Sequence, residues 1–288
     1  QVGRTGRESD DLEPGSASDP EGQYIFVLIG QDKLLHRRGR LLVMLEPVAA
    51  VLDELLGHVL VVADVPDVHA ALAGGQQGVV GSLGAAFSRI TGNVIHDIHV
   101  RKLFTGAEMA GIKIHASIDC EIAGNRIFRT CRGLWMDWMA QGTRITRNLC
   151  YENASEDVFM EVDHGPYLVD NNLFLSPTSL LDMSQGGAFV HNLWAGRLIS
   201  TVELNRETPY HPAHSTVVAG LGRIQGGDNR FFNNVFIGAG AETASAPKKD
   251  DRHARVAGYG TWMYDARERP SRFAGNVYLR GADRKSVV

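Results

Sequence analysis

The chain has 288 residues, room for one long domain or two ordinary ones with a large core. Its formal net charge of −4 gives no electrostatic pull toward nucleic acid or an acidic membrane surface, and no apolar run reaches the ~18 residues of a bilayer span. Thirty-two glycines against ten prolines suit many tight turns, and three cysteines (Cys120, Cys131, Cys150) in no metal-binding spacing read as buried thiols, not a disulfide framework.

Residues 1–76 differ in character from the rest of the chain. The stretch 1–22 is polar, charged and rich in Gly and Pro, which favours disorder. Leu41 to Leu72 is rich in Leu, Val and Ala with acids interspersed, and predicts one or two amphipathic helices broken at Pro47 and Pro66. An N-terminal cap and a foreign leader both fit this segment, and no function is assigned to it. The start has no basic, apolar and small-residue leader pattern, and it lacks Met, so cytoplasmic and secreted locations both stay open.

Residues 77–288 carry a repeat. An Asn followed by an apolar residue ends a short β-like run at Asn93, Asn125, Asn148, Asn172, Asn192, Asn234 and Asn276. The central gaps are 23, 24 and 20 residues, the length of one coil of a parallel β-solenoid, and the last two are 42 each. Each repeat reads as a small-residue turn, an apolar strand, an Asn corner and a second short strand. Asn at a tight corner bonds backbone, tolerates positive φ and stacks on the Asn of the next coil. Glu203 to Gln225 and Ile237 to Arg272 interrupt the period and are predicted to be projecting loops.

The strand after each corner carries the candidate chemistry. GIKIH (Gly111–His115), GLWMD (Gly133–Asp137), DVFME (Asp157–Glu161) and TSLLD (Thr178–Asp182) align without gaps, their last residues 22, 24 and 21 apart. Alternation turns Ile112, Ile114, Leu134, Met136, Val158 and Met160 inward and Lys113, His115, Trp135, Asp137, Phe159 and Glu161 outward on one face. Stacked strands ~4.8 Å apart then bring the Asp137 and Glu161 carboxylates to roughly 5–6 Å, the spacing of a retaining glycosidase. Two acids that close push their pKa values apart, giving a nucleophile and a proton donor. Trp135 and Trp138 offer a flat apolar surface for a sugar ring. Lone outward acids are usually solvated, but four stacked ionisable groups would only weaken a purely structural sheet.

At this point the residues resemble a known family. AGIKIHASID, GLWMDWMAQGTRITRNL and VFMEVDHGPYLVDNNLFL are similar to the right-handed parallel β-helix β-xylosidases of glycoside hydrolase family 120, over about residues 78–279. The resemblance implies an all-β, right-handed parallel β-helix and a retaining mechanism, with Asp137 as nucleophile and Glu161 as general acid/base. It implies xylose release from the non-reducing end of short xylo-oligosaccharides, with no cofactor required, though a structural calcium is compatible. Homo-oligomerisation is left open.

Around that pair, His115 is expected to bind a sugar hydroxyl or hold the nucleophile. Asp163 is expected to tune Glu161, and His164 to line the pocket. Glu108 and Asp182 are weaker candidates, and Arg206, Tyr210, His211 and His214 sit in a loop able to close one end of a cleft. Members of that family are longer and carry a β-sandwich region that this chain does not show, so 77–288 reads as a truncated catalytic domain. Two other classes stay open: a β-helix polysaccharide lyase, which needs acidic calcium ligands and an Arg or Lys base and for which the column offers Lys113 and His115 with Asp137, Glu161 and Asp182, and a non-catalytic carbohydrate-binding solenoid.

Overall fold

The computed structural model describes residues 71–72, 77–81, 85–99, 108–240 and 254–283. These residues are all-β apart from one 3-10 turn, and their strands build three long sheets visited in rotation. The first sheet has eight strands, from Ala71–Leu72 to Val277–Leu279; the second has seven, from Gln77–Gly81 to Val256–Gly258; the third has seven, from Arg89–Thr91 to Arg272–Ala274. Pairing within each sheet is parallel from coil to coil, save the final strand of the second sheet, which runs antiparallel to Arg197–Ser200. A solenoid-like stack therefore underlies the repeat. The core lies between the sheets: Ile and Leu fill it early, and aromatic files such as Phe189–Phe231–Phe273 fill it late. No helix among the described residues is long and apolar enough to cross a membrane.

The Asn ladder runs unbroken from Asn93 to Asn276. Each Asn gives its backbone N–H and its side-chain N–H to the Oδ1 of the Asn one coil on, at 2.9–3.1 Å. One detail of the corner differs from expectation. The positive φ belongs to the residue before each Asn: Gly92, Gly124, Arg147, Asn171, His191, Asn233 and Gly275. The Asn itself is freed to point into the ladder.

Three other expectations are corrected. Glu203 to Gln225 is no plain loop, since Glu207–Tyr210 and Gly220–Arg223 pair as an antiparallel hairpin. The segment from Ile237 to Arg272 supplies core as well as loop: Val256–Gly258 closes the second sheet, and Trp262, Met263 and Tyr264 are buried. Residues 1–70, with the predicted helices and disordered stretch, lie outside the described residues; Ala71–Leu72, at the end of the predicted helical run, is a strand paired with Val94–His96. No disulfide joins the cysteines, and Cys120 and Cys150 are buried while Cys131 is half-buried.

Candidate active site

Three strands of the second sheet build the site: Ala110–His115, Arg132–Asp137 and Glu156–Glu161. Their register sets His115 opposite Asp137 and Asp137 opposite Glu161. The inward residues Ile112, Ile114, Leu134, Met136, Val158 and Met160 are at most 1% exposed, so the apolar alternation locks this register. The residue after each member of the file, Ala116, Trp138 and Val162, has φ of 50°, 46° and 51°. That conformation is costly for a β-branched residue such as Val162, and it turns the chain immediately behind His115, Asp137 and Glu161.

Lys113 organises the surroundings of Asp137. It is wholly buried, and its ammonium meets Asp137 Oδ2 at 2.6 Å, Glu108 Oε2 at 2.6 Å and His115 Nε2 at 2.8 Å. An ammonium has three N–H donors, and all three are used here. The ring of Trp135 lies 4.3 Å from the same nitrogen. His115 Nε2 is itself 3.4 Å from Asp137 Oδ2. The His115 imidazole and the Lys113 ammonium beside Glu108 hold its carboxyl down to about 2. Glu108, His115 and Asp137 offer ligand atoms within 4.8 Å of one another, a cation-sized cage whose positive charge Lys113 already supplies.

Glu161 has a different setting. Its Oε2 accepts from Trp135 Nε1 at 2.9 Å and its Oε1 from Arg206 Nη1 at 2.7 Å. Burial pushes its pKa up and the Asp137 charge adds to the rise, while Arg206 and the indole oppose it. One carboxylate is thus bound to a buried ammonium while its neighbour is biased toward the protonated form. Such a pair can serve as nucleophile and proton donor.

The structure draws Glu108, His115, Asp137, Glu161 and Arg206 together with Trp135, but Trp135 is not the open platform expected. Its ring is 4% exposed, tilted on Phe159 at 5.1 Å, with the Arg132 guanidinium 4.5 Å away and Lys113 also over the ring. Its work is to hold Glu161. Trp138 is half-buried on the turn behind Asp137.

Asp182 leaves the file altogether. It pairs with Met160, not Glu161, so the gapless alignment is off by one residue there and the side chain faces inward. Its oxygens take Ser184 N–H, Asn229 Nδ2 and Tyr264 Oη at 2.9 Å each, and burial pushes its pKa up to about 6. Asp163 is likewise enclosed, accepting from Ala140 N at 2.6 Å and facing Ser184 Oγ at 3.3 Å. Burial, chiefly, pushes its pKa well up. It ties the turn after Asp137 to the turn after Glu161; neither Asp163 nor Asp182 presents a carboxyl to a ligand.

The hairpin sits on this end of the sheet. Thr208 O accepts from His164 Nε2 at 2.8 Å, and the Tyr210 ring meets the same imidazole edge-on at 5.5 Å. A side chain at Gly222 would reach within 3.2 Å of His164 Cε1, so the hairpin's second strand approaches closely. Gln141 grips the His211 backbone at both N–H and C=O, 2.9 and 3.0 Å, and the His211 ring is itself buried, its Nδ1 near Val217 O. His164 and His211 therefore fasten the hairpin. His214, at its outer turn, meets Asp119 at 2.8 Å.

Sequence reasoning underused two groups. Lys113 was legible as an outward member of the file, but nothing in spacing said that it would be saturated by two acids and a histidine. Asp157, buried near the start of the strand Glu156–Glu161 with its pKa pushed by burial to about 6, is held by Asn153 and Ser176.

No family model and no curated protein matches the chain. Among solved structures, it is similar to XylC, solved as a complex with xylose. Identity is 40% and the TM-score 0.61, over 74% of this chain and 36% of XylC. The chain thus spans little more than a third of that protein's length.

Proposed function

We propose that this chain is the catalytic part of a retaining β-xylosidase, which releases xylose from the non-reducing end of β-xylosides and short xylo-oligosaccharides. The observation that carries the reading is the facing register of Asp137 and Glu161, one bound by a buried ammonium and the other biased toward its acid form. Similarity to a xylose-bound protein supports the choice of sugar. The fold proposed is a closed, right-handed parallel β-helix over 77–288, with 1–76 a separate segment.

In this reading Asp137 attacks the anomeric carbon as the glycosidic bond breaks, its electron pair leaving with the aglycone oxygen. Glu161 protonates that oxygen, then deprotonates the water that displaces Asp137. Adjacent parallel strands lie ~4.8 Å apart, which suits the ~5–5.5 Å carboxylate separation of retaining enzymes and leaves no room for an intervening water. Lys113 holds Asp137 Oδ2 in place, and Glu108 and His115 are left to meet the sugar. No cofactor is needed at this site. A lyase is less well supported, because an ammonium with all three donors engaged is not available as a base.

The test is p-nitrophenol release from an aryl β-xyloside, beside aryl arabinoside and glucoside. Xyloside turnover is expected, falling by about 10⁴-fold or more in Asp137→Asn while the fold is kept. An ultraviolet-absorbing unsaturated product from a uronate polymer would turn the reading to a lyase. Silence from folded protein on every substrate would turn it to a binding solenoid.

A further inference from the structure

The sheet face differs on the two sides of the Asp137–Glu161 pair. Lys113 and His115 stand one coil before it with Glu108 beside them, all of them charged or hydrogen-bonding groups. Met183 stands one coil after it. Its N–H donates to Met160 O at 2.9 Å while Asp182 pairs with Met160, so Met183 follows Glu161 in the file, and Thr201 comes after it. Leu181 pairs with Ile199 of the next coil, and Met183 and Ile199 pack on the cluster of Leu181, Phe159 and Trp135. Leu181 is buried, Met183 and Ile199 half-buried. Beyond the acid, the face is an apolar shelf.

In-line displacement decides which half of the substrate meets which side. The nucleophile approaches the anomeric carbon opposite the bond that breaks, and the acid must come within about 2.6–3.2 Å of the oxygen of that bond. The xylose ring then lies on the Asp137 side, and the aglycone lies past Glu161, toward coils that follow at ~4.8 Å steps. The path of the chain bounds that space. Ser200 pairs with Asp182, two coils beyond Glu161, yet Arg206, only six residues later, meets Glu161 Oε1 at 2.7 Å. Residues 201–206 therefore run back past the coil that carries Met183.

We propose that Met183, backed by Leu181 and Ile199, is the specificity-determining floor of the leaving-group subsite, and that this subsite takes an aryl aglycone. The inference rests on the retaining mechanism proposed for this site. A ring laid on the shelf removes apolar surface from water on both partners, and the Met183 thioether adds a favourable sulfur–aromatic contact. A hydroxyl-rich aglycone finds no hydrogen-bond partner on these three side chains and gives up water there without replacement.

The experiment uses the full chain with phenyl and methyl β-thioxylosides, which are not hydrolysed, so that calorimetry reads Kd without turnover. The phenyl compound is expected to bind about tenfold more tightly than the methyl one. In Met183→Gln, which keeps the length and adds an amide, that advantage falls to about twofold, while the Kd of xylose, which has no aglycone, stays in place. Met183→Leu retains the advantage. With p-nitrophenyl xyloside, kcat/KM drops about fivefold in Met183→Gln. Hydrolysis of the glycosyl-enzyme, timed as reactivation after trapping with a fluorinated xyloside, keeps its rate because the aglycone has already left. A purely structural role, acting through Trp135 on Glu161, would slow both steps alike, and that result would overturn the proposal. So would phenyl binding no tighter than methyl in the unaltered chain, or an undiminished advantage in folded Met183→Gln. Where Met183→Gln does not fold, Ile199→Thr is read the same way. Should Asp137→Asn and Glu161→Gln stay active, the retaining reading itself fails; should they die while the phenyl advantage ignores Met183, only the leaving-group inference fails.

Discussion

Two files of polar residues run along this molecule, one step per coil, and they are satisfied in opposite ways. In the corner file from Asn93 to Asn276, each amide bonds the next, because a carboxamide carries donor and acceptor together. The file His115–Asp137–Glu161 cannot do this. Two carboxylates on adjacent strands have only acceptors, so the fold brings Lys113 to one and Arg206 with Trp135 to the other. A self-satisfying file can be lengthened by any coil, and seven coils share it. The charged file needs partners placed one by one, and it stops at Met183, the next outward residue, which with Leu181 joins an apolar cluster on that face. A polar column that demands so much special support is the mark of chemistry; one that supports itself is the mark of architecture.

That contrast can be broken by substitution. The largest stability effect is expected for Lys113→Met. It leaves Glu108 and Asp137 facing one another with no cation between them, at a cost of about 3–5 kcal/mol in denaturant unfolding. Turnover per folded molecule should collapse with it; a variant as stable as the original would show that the ammonium is not what holds this end together.

Breaking the other file should cost less and spare activity. Asn148→Ala removes the acceptor for the Asn125 backbone and side-chain N–H groups and the donor to Asn172, an expected loss of about 1–3 kcal/mol. Activity normalised to folded protein should stay within about twofold of the original. A large drop in turnover would mean that the ladder shapes the site and is not scaffolding alone.

The smallest effect concerns pH. Asp157 and Asp182 have carboxyls pushed by burial to about 6 in the folded chain, against 3.8 ordinarily. The folded state then binds more protons than the unfolded one between those values. Their contribution is fully present below about pH 4 and is lost as pH rises through about 6. The stability difference between the chain and Asp182→Asn, followed from pH 4 to pH 7, should shift against the unaltered chain by the upper end. A flat difference would place the Asp182 carboxyl in water.

Much of the site was legible because stacking turns a 22–24-residue spacing into adjacency. Asp137 and Glu161 close strands with the same apolar alternation, and their register follows from it. The alignment failed one coil later for a physical reason. The spacing in register is 22 residues from Met160 to Asp182, so the turn between these strands is one residue longer than a gapless alignment allows. A period-2 strand converts that single residue into the opposite face, and Asp182 became an interior acid bonded to Tyr264 and Asn229. Trp135 misled in a similar way: its outward position was right, but Lys113 and Arg132 cover its ring.

The sequence by itself determined the coil, the Asn corners and the pairing of Asp137 with Glu161, because these depend on short-range alternation and a repeat that any parallel stack must respect. Only the tertiary structure decided what surrounds the pair. Lys113 reaches Asp137 across neighbouring strands, and Arg206 arrives from beside a hairpin, 45 residues beyond Glu161. Where a long insertion folds back is set by contacts such as Gln141 on His211 and His164 on Thr208, and those contacts leave no period in the sequence to read.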